Sequence, residues 1–160
     1  MTELKSLRAL LAAVVAVVGL VLGTSTASAA PDQTLTTEYY GYFMLVDGGT
    51  GWCLDGNGSA VYTNPCDRNN TWQTWYINGA TVMHAKSSTC LQWTGQGNAA
   101  VTRSCNGSGD QSWHLWNLPT GICHVFTGEP QNCLDSNAQH AAYFNVYNGG
   151  PYQSWTLQSL

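Results

Sequence analysis

From residue 39 onward, apolar positions arrive in short bursts and not in a helical rhythm. Tyr42-Phe43-Met44-Leu45-Val46, Thr81-Val82-Met83-His84-Ala85 and Gly121-Ile122-Cys123-His124-Val125-Phe126 are five or six residues long. Each gives way to a polar cluster: Asp47-Gly48-Gly49-Thr50-Gly51, Lys86-Ser87-Ser88-Thr89, and Thr127-Gly128-Glu129-Pro130-Gln131-Asn132. Apolar and β-branched runs punctuated by Gly, Asn and Ser predict strands joined by turns. No apolar period of 3.6 is sustained over ten residues in this part of the chain, so no helix is predicted.

The bursts belong to a repeat. Gln-x-Trp occurs three times, as Gln73-Thr74-Trp75, Gln111-Ser112-Trp113 and Gln153-Ser154-Trp155. A Cys-Leu pair precedes each, as Cys53-Leu54-Asp55, Cys90-Leu91-Gln92 and Cys133-Leu134-Asp135. The cysteines fall 37 and 43 residues apart and the glutamines 38 and 42. The chain is therefore three units of roughly 40 residues, about 39–79, 80–119 and 120–160, each with about four strands. Three units are too few for a propeller, which typically needs four to eight blades. A three-turn solenoid would leave its edges open. A closed barrel with threefold symmetry removes most edges, giving an all-β fold of about twelve short strands. Trp75, Trp113 and Trp155 are then expected near the shared axis. Ile77, Leu115 and Leu157, two positions later, lie on the same face of their strands. Gln73, Gln111 and Gln153 are expected to hydrogen-bond buried backbone within their units.

The first 29 residues change the picture of location. Lys5 and Arg8 precede a 14-residue apolar run, Ala9 to Leu22, and small residues ending in Ala27-Ser28-Ala29. This is the pattern of a secretory signal peptide cleaved after Ala29. The run is short of the roughly 20 residues that span a bilayer. Residues 30–38 form a polar lead-in. The expected product is a secreted domain of 131 residues. Beyond the signal segment there are three basic side chains, Arg68, Lys86 and Arg103, against eight acidic ones. That balance offers no basic stripe for nucleic acid or anionic lipid. All six cysteines lie in the secreted part, an even count that points to disulfides. There is no C-x-x-C, and His84, His114, His124 and His140 show no ligand spacing, so neither a metal nor a cofactor is expected.

Three units of Cys-Leu-Asp-type starts, each followed about twenty residues later by Gln-x-Trp, resemble the ricin-type β-trefoil lectins. The resemblance covers roughly residues 39–160. It implies a β-trefoil that binds galactose-type or xylan-type sugars in shallow pockets, up to one per unit. In such a pocket an aspartate accepts hydrogen bonds from sugar hydroxyls and an aromatic ring packs on a pyranose face. Carried over residue by residue, the first unit offers Asp55, Tyr62, Asn64 and Trp72, and the third Asp135, Tyr143, Asn145 and Tyr152. The middle unit has Gln92, Val101, Arg103 and Asp110 instead, keeping the fold marks without the site marks. The family usually has its stacking aromatic where Asn64 and Asn145 stand, and an asparagine where Trp72 and Tyr152 stand.

Six cysteines allow fifteen pairings. Cys53–Cys66 and Cys90–Cys105 are expected within the first two units. Cys123–Cys133 is expected across a hairpin centred on Thr127-Gly128-Glu129. A glycan is the expected partner, and no catalysis is expected, because Asp55 and Asp135 belong to separate units. The competing expectation is a trefoil that has lost sugar binding and works through protein contacts, as an inhibitor or an assembly subunit.

Overall fold

The apolar bursts form the first strand of each unit. In this computed structural model the described residues are 39–115, 121–125 and 131–160. The signal segment, the lead-in, Trp116 and the turn Thr127-Gly128-Glu129 lie outside them. Among the described residues there are twelve strands, four per unit. Unit one holds β1 (Tyr40–Asp47), β2 (Cys53–Gly56), β3 (Val61–Asn64) and β4 (Trp75–Asn78). Unit two holds β5 (Thr81–His84), β6 (Thr89–Gln92), β7 (Val101–Ser104) and β8 (Trp113–Leu115). Unit three holds β9 (Ile122–His124), β10 (Asn132–Ser136), β11 (Ala142–Val146) and β12 (Trp155–Ser159). The last strand of each unit follows a single 3-10 turn that carries the motif glutamine: Thr71–Gln73, Gly109–Gln111 and Pro151–Gln153.

Antiparallel pairing builds two sheets, one of β1 to β7 with β12 and one of β8 to β11. The strand β1 pairs with the last strand of its own unit, β4, and with β12 of unit three. Units are stitched in sequence by β4–β5 and β8–β9. The hairpins β2–β3, β6–β7 and β10–β11 meet at one end. There Val61 N–H donates to the Ala100 carbonyl (3.1 Å) and Ala100 N–H to that of Ala142 (2.8 Å). This is the β-trefoil that the resemblance implied.

Trp75, Trp113 and Trp155 are almost wholly buried, together with Leu54, Leu91 and Leu134. Each indole N–H donates to the carbonyl of the leucine in the Cys-Leu pair of its own unit, at 2.9, 3.0 and 3.0 Å. The polar edge of each ring is thereby satisfied inside the core, as a buried Trp requires. The symmetry breaks at one layer, where Thr63, Thr102 and Phe144 occupy equivalent positions opposite those leucines. Phe144 stacks on Trp113 at 5.4 Å. The Thr63 and Thr102 hydroxyls are buried without a hydrogen-bond partner among the described residues.

The disulfides are Cys53–Cys66, Cys90–Cys105 and Cys123–Cys133, the three pairings read from the sequence. Their Cα separations are 4.9, 5.0 and 3.9 Å. The third is closer than the roughly 4.5 to 5.5 Å of an ordinary antiparallel pair. Gly121 allows this crowding, since a Cβ there would lie 2.7 Å from Cys123 Sγ.

Candidate functional site

The pocket face of each unit is set by strand register. Asp55 lies opposite Tyr62, and Asp135 opposite Tyr143. Directly opposed residues share a face, and so do residues two apart on a strand. Asp55, Tyr62 and Asn64 therefore converge, as do Asp135, Tyr143 and Asn145. Val61 and Thr63, with Ala142 and Phe144, point inward and are buried.

The motif glutamine joins the core to this face. Gln73 Nε2 donates to the Pro65 carbonyl (3.0 Å) and to Asp55 Oδ2 (3.1 Å), and its Oε1 accepts from Asp67 N–H (2.8 Å). Gln153 repeats the set with the Val146 carbonyl, Asp135 Oδ2 and Asn148 N–H. Gln111 does so with the Ser104 carbonyl, Gln92 Oε1 and Asn106 N–H. The glutamine thus satisfies backbone, as expected, and also orients the side chain that opens the unit.

Asp55 and Asp135, the aspartates expected to meet sugar hydroxyls, are consequently also tied into the protein's own hydrogen bonds. They are 2% and 3% exposed. Asp55 Oδ1 accepts from Gly56 N–H (2.7 Å), and its Oδ2 accepts from Asn64 (3.1 Å), Asn70 (3.0 Å) and Gln73 (3.1 Å). Asp135 has one donor fewer: Ser136 N–H on Oδ1 (2.8 Å), with Gln153 (3.1 Å) and a long contact from Asn145 (3.4 Å) on Oδ2. Burial lifts the Asp135 carboxyl above its ordinary value; its three donors pull it partly back, and Asp47 pushes it further up. Asn64 and Asn145 act here as braces for the carboxylates. Tyr62 and Tyr143 donate their hydroxyls to the Gly56 and Ser136 carbonyls, at 3.3 and 3.2 Å. Burial, then the neighbouring aspartate, raises both phenols.

The aromatic rims differ. Trp72 stacks on His84 at 5.2 Å, and Lys86 Nζ sits 4.7 Å from its ring centre. Tyr152 is 36% exposed. Its ring lies against Gly49, at a position where a Cβ would overlap it.

Sequence reasoning missed one threefold set. Asp47, His84 and His124 are buried and pair across the strands with Trp155, Trp75 and Trp113. Each ends the first strand of its unit, a position visible in the repeat but occupied by two residue types. His84 Nε2 meets the Trp72 carbonyl at 2.9 Å, and His124 Nε2 that of Gly109 at 3.0 Å. Both histidines lie edge-on to the motif tryptophan, at 5.0 and 5.6 Å. Burial lowers both below the usual imidazole value. A second feature bridges units one and three. His140, at φ 67°, stacks on Trp52 at 4.2 Å, and its Nδ1 lies 2.8 Å from the Thr63 carbonyl.

The ricin-type β-trefoil lectin domain matches this chain over residues 41–155, and again over 19–113. The two matches end at Trp155 and Trp113, the same position in successive units, as a repeat demands. The chain belongs to the ricin-type β-trefoil lectin family, a family of carbohydrate-binding proteins. Among solved structures it is similar to the designed threefold symmetric protein ThreeFoil, at 22% identity and TM-score 0.63, over 74% of this chain and 99% of that one. It is similar to a ricin B-like lectin of Macrolepiota procera in complex with lactose, at 17% identity and TM-score 0.61, over 75% and 96%. It also resembles a non-toxic homologue of type II RIPs from Momordica charantia (bitter gourd) in complex with α-methyl-D-galactoside. That likeness has 21% identity and TM-score 0.61 and covers 74% of this chain but 48% of the other, so this chain spans about half of it. At these identities the likeness concerns the fold. No curated protein matches the sequence.

Proposed function

We infer that this chain is a secreted, non-catalytic lectin for galactose-type sugars and that unit three is its principal pocket. One observation carries the choice of unit. Asp135 takes three donors where Asp55, with Asn70, takes four, and it lies in the same unit as the exposed ring of Tyr152. A carboxylate held by its neighbours and an aromatic face are the parts a small sugar site needs. Lactose and α-methyl-D-galactoside, bound by two proteins of the same fold, support a galactose-type ligand. The signal segment supports secretion. Asp55 and Asp135 are each held by donors of their own unit, which supports a non-catalytic reading.

A xylan-type ligand is the neighbouring alternative. A glycan array on the purified chain separates the two, and calorimetry with the sugar found should give one neutral-sugar site per chain. Asp135→Ala should weaken that binding about tenfold or more, as loss of a charge-assisted contact does. Asp55→Ala in protein that remains folded should leave it nearly unchanged. Silence across a broad array would transfer the reading to a trefoil that works through protein contacts, which the saturated Asp55 and the occupied Trp72 ring already favour for unit one.

A further inference from the structure

The middle unit lacks the aspartate, tyrosine and asparagine of its neighbours, yet its hairpin presents the same face. Gln92 lies opposite Val101 as Asp55 lies opposite Tyr62 and Asp135 opposite Tyr143. Arg103 lies opposite Cys90 as Asn64 and Asn145 lie opposite Cys53 and Cys133. Asp110 precedes the motif glutamine where the others carry Trp72 and Tyr152. The substitutions redistribute charge on the face: a neutral amide replaces the carboxylate, a guanidinium replaces the amide that braced it, and a carboxylate replaces the aromatic ring at the rim.

The amide is also turned. Gln92 Oε1 accepts from Gln111 Nε2 at 3.1 Å, so the Gln92 NH2 group is left to donate away from the core. In units one and three the equivalent group only accepts. Arg103 is exposed and donates once within the protein, from Nη1 to the Thr102 carbonyl at 3.1 Å. Its remaining N–H groups meet no protein acceptor among the described residues. Val101 is half-buried and places no ring over the face. The result is a pair of donors on neighbouring strands, Gln92 ending β6 and Arg103 two residues beyond its partner Val101 on β7, on a chain whose formal net charge is −4.

We propose that the face formed by Gln92, Arg103 and Asp110 binds a sugar carrying an anionic group, a carboxylate or a sulfate. Arg103 pairs with the anion in the forked geometry that guanidinium shares with both groups. The Gln92 amide donates to a ring or hydroxyl oxygen. The Asp110 carboxylate, exposed on the 3-10 turn, accepts from sugar hydroxyls, the task that Asp135 has in unit three. The proposal rests on the reading of the hairpin face as the sugar-binding face, and it assigns unit two a different class of sugar from unit three.

The test is calorimetry on the full secreted domain with methyl galacturonide, methyl glucuronide, galactose 6-sulfate and the neutral methyl galactoside and glucoside. At least one anionic sugar should bind with an affinity that falls as salt rises. Arg103→Gln should weaken it about tenfold or more, while Arg103→Lys retains part of the affinity. Asp135→Ala should not touch it. Binding of the carboxylated sugars alone narrows the ligand to uronates; equal binding of the sulfated sugar widens it to both. Neutral-sugar binding lost in Asp135→Ala but kept in Arg103→Gln separates the two sites. If the neutral-sugar reading fails, anion binding that depends on Arg103 still upholds this one. The proposal is overturned if the anionic sugars bind no better than their neutral counterparts, or if Arg103→Gln, folded by circular dichroism, binds them as the native chain does.

Discussion

Units one and three present the same three residue types in the same register, and they are not the same site. Asp55 takes four donors and Asp135 three. The extra donor, Asn70, comes from the position just before the 3-10 turn, where its Oδ1 also accepts from Trp72 N–H at 3.0 Å. The corresponding place before the third turn is Gly150, which has no side chain to offer. Trp72 is taken up by His84 and Lys86, whereas Tyr152 rests on a glycine and keeps surface in water. An identical set of named residues can therefore be held by different numbers of partners in two units of one chain. What surrounds the carboxylate decides how many.

The comparison is broken most directly through stability. Asp55→Ala would strand four buried or half-buried donors, and Asp135→Ala three, one of them already long. Each donor left unpaired costs about 1–3 kcal/mol, partly relieved where water can enter. Asp55→Ala should therefore destabilise the fold by about 3 kcal/mol or more and Asp135→Ala by less, as read from urea unfolding. Equal losses would erase the distinction between the units.

The rim offers a sharper and smaller test. Gly49→Ala puts a methyl group into the Tyr152 ring and must displace it. Sugar affinity at unit three should drop about three- to tenfold, since aromatic contacts contribute about 0.5–1.5 kcal/mol beyond burial. Unfolding should change little, because Tyr152 is exposed. An unchanged affinity with a shifted ring would remove Tyr152 from the site.

Protons separate the units again. His84 and His124 lie below the usual imidazole value of 6.5, chiefly through burial. Unfolded imidazoles take up protons near that value while the folded ones resist. Their contribution to stability is thus whole above it and is lost as pH falls below it toward the folded values. Unfolding followed from about pH 7 to about pH 5 should show this slope, and His84→Gln should flatten it. Asp135 has the opposite sign. Its raised carboxyl holds a proton more readily in the fold than in the unfolded chain, so ionisation costs stability as pH rises through its range. Affinity at unit three should accordingly begin to fall, on acidification, above the ordinary aspartate value of 3.8.

The last comparison concerns the broken layer of the core. Thr63→Val and Thr102→Val remove buried hydroxyls that lack partners, with little change in shape. Each should raise stability by about 1 kcal/mol. Phe144→Thr at the equivalent place should instead cost about 2 to 4 kcal/mol, through lost burial and a cavity.

Much of this molecule was written in the linear pattern. Cys-Leu and Gln-x-Trp, in register three times over, determined the unit length, the all-β class, the tryptophan core and two of the disulfides. They did so because each mark acts within about twenty residues, between a strand and the 3-10 turn that packs on it. The inward alternation of Val61 and Thr63, and of Ala142 and Phe144, was equally legible, because a strand has period two. What no linear pattern could show was the state of the carboxylates. Whether Asp55 is satisfied depends on where Asn70 lands, and whether Trp72 is free depends on Lys86 from the next unit. The support for Tyr152 is a glycine more than a hundred residues away. The Asn70 bond forms when the 3-10 turn of unit one folds over its own hairpin, and the Lys86 and Gly49 contacts form when a turn of a neighbouring unit meets the rim. Hydrogen-bond capacity and exposed ring surface are properties of that assembled neighbourhood, so the fold could be read from the chain, while the difference between its pockets was decided by the tertiary structure.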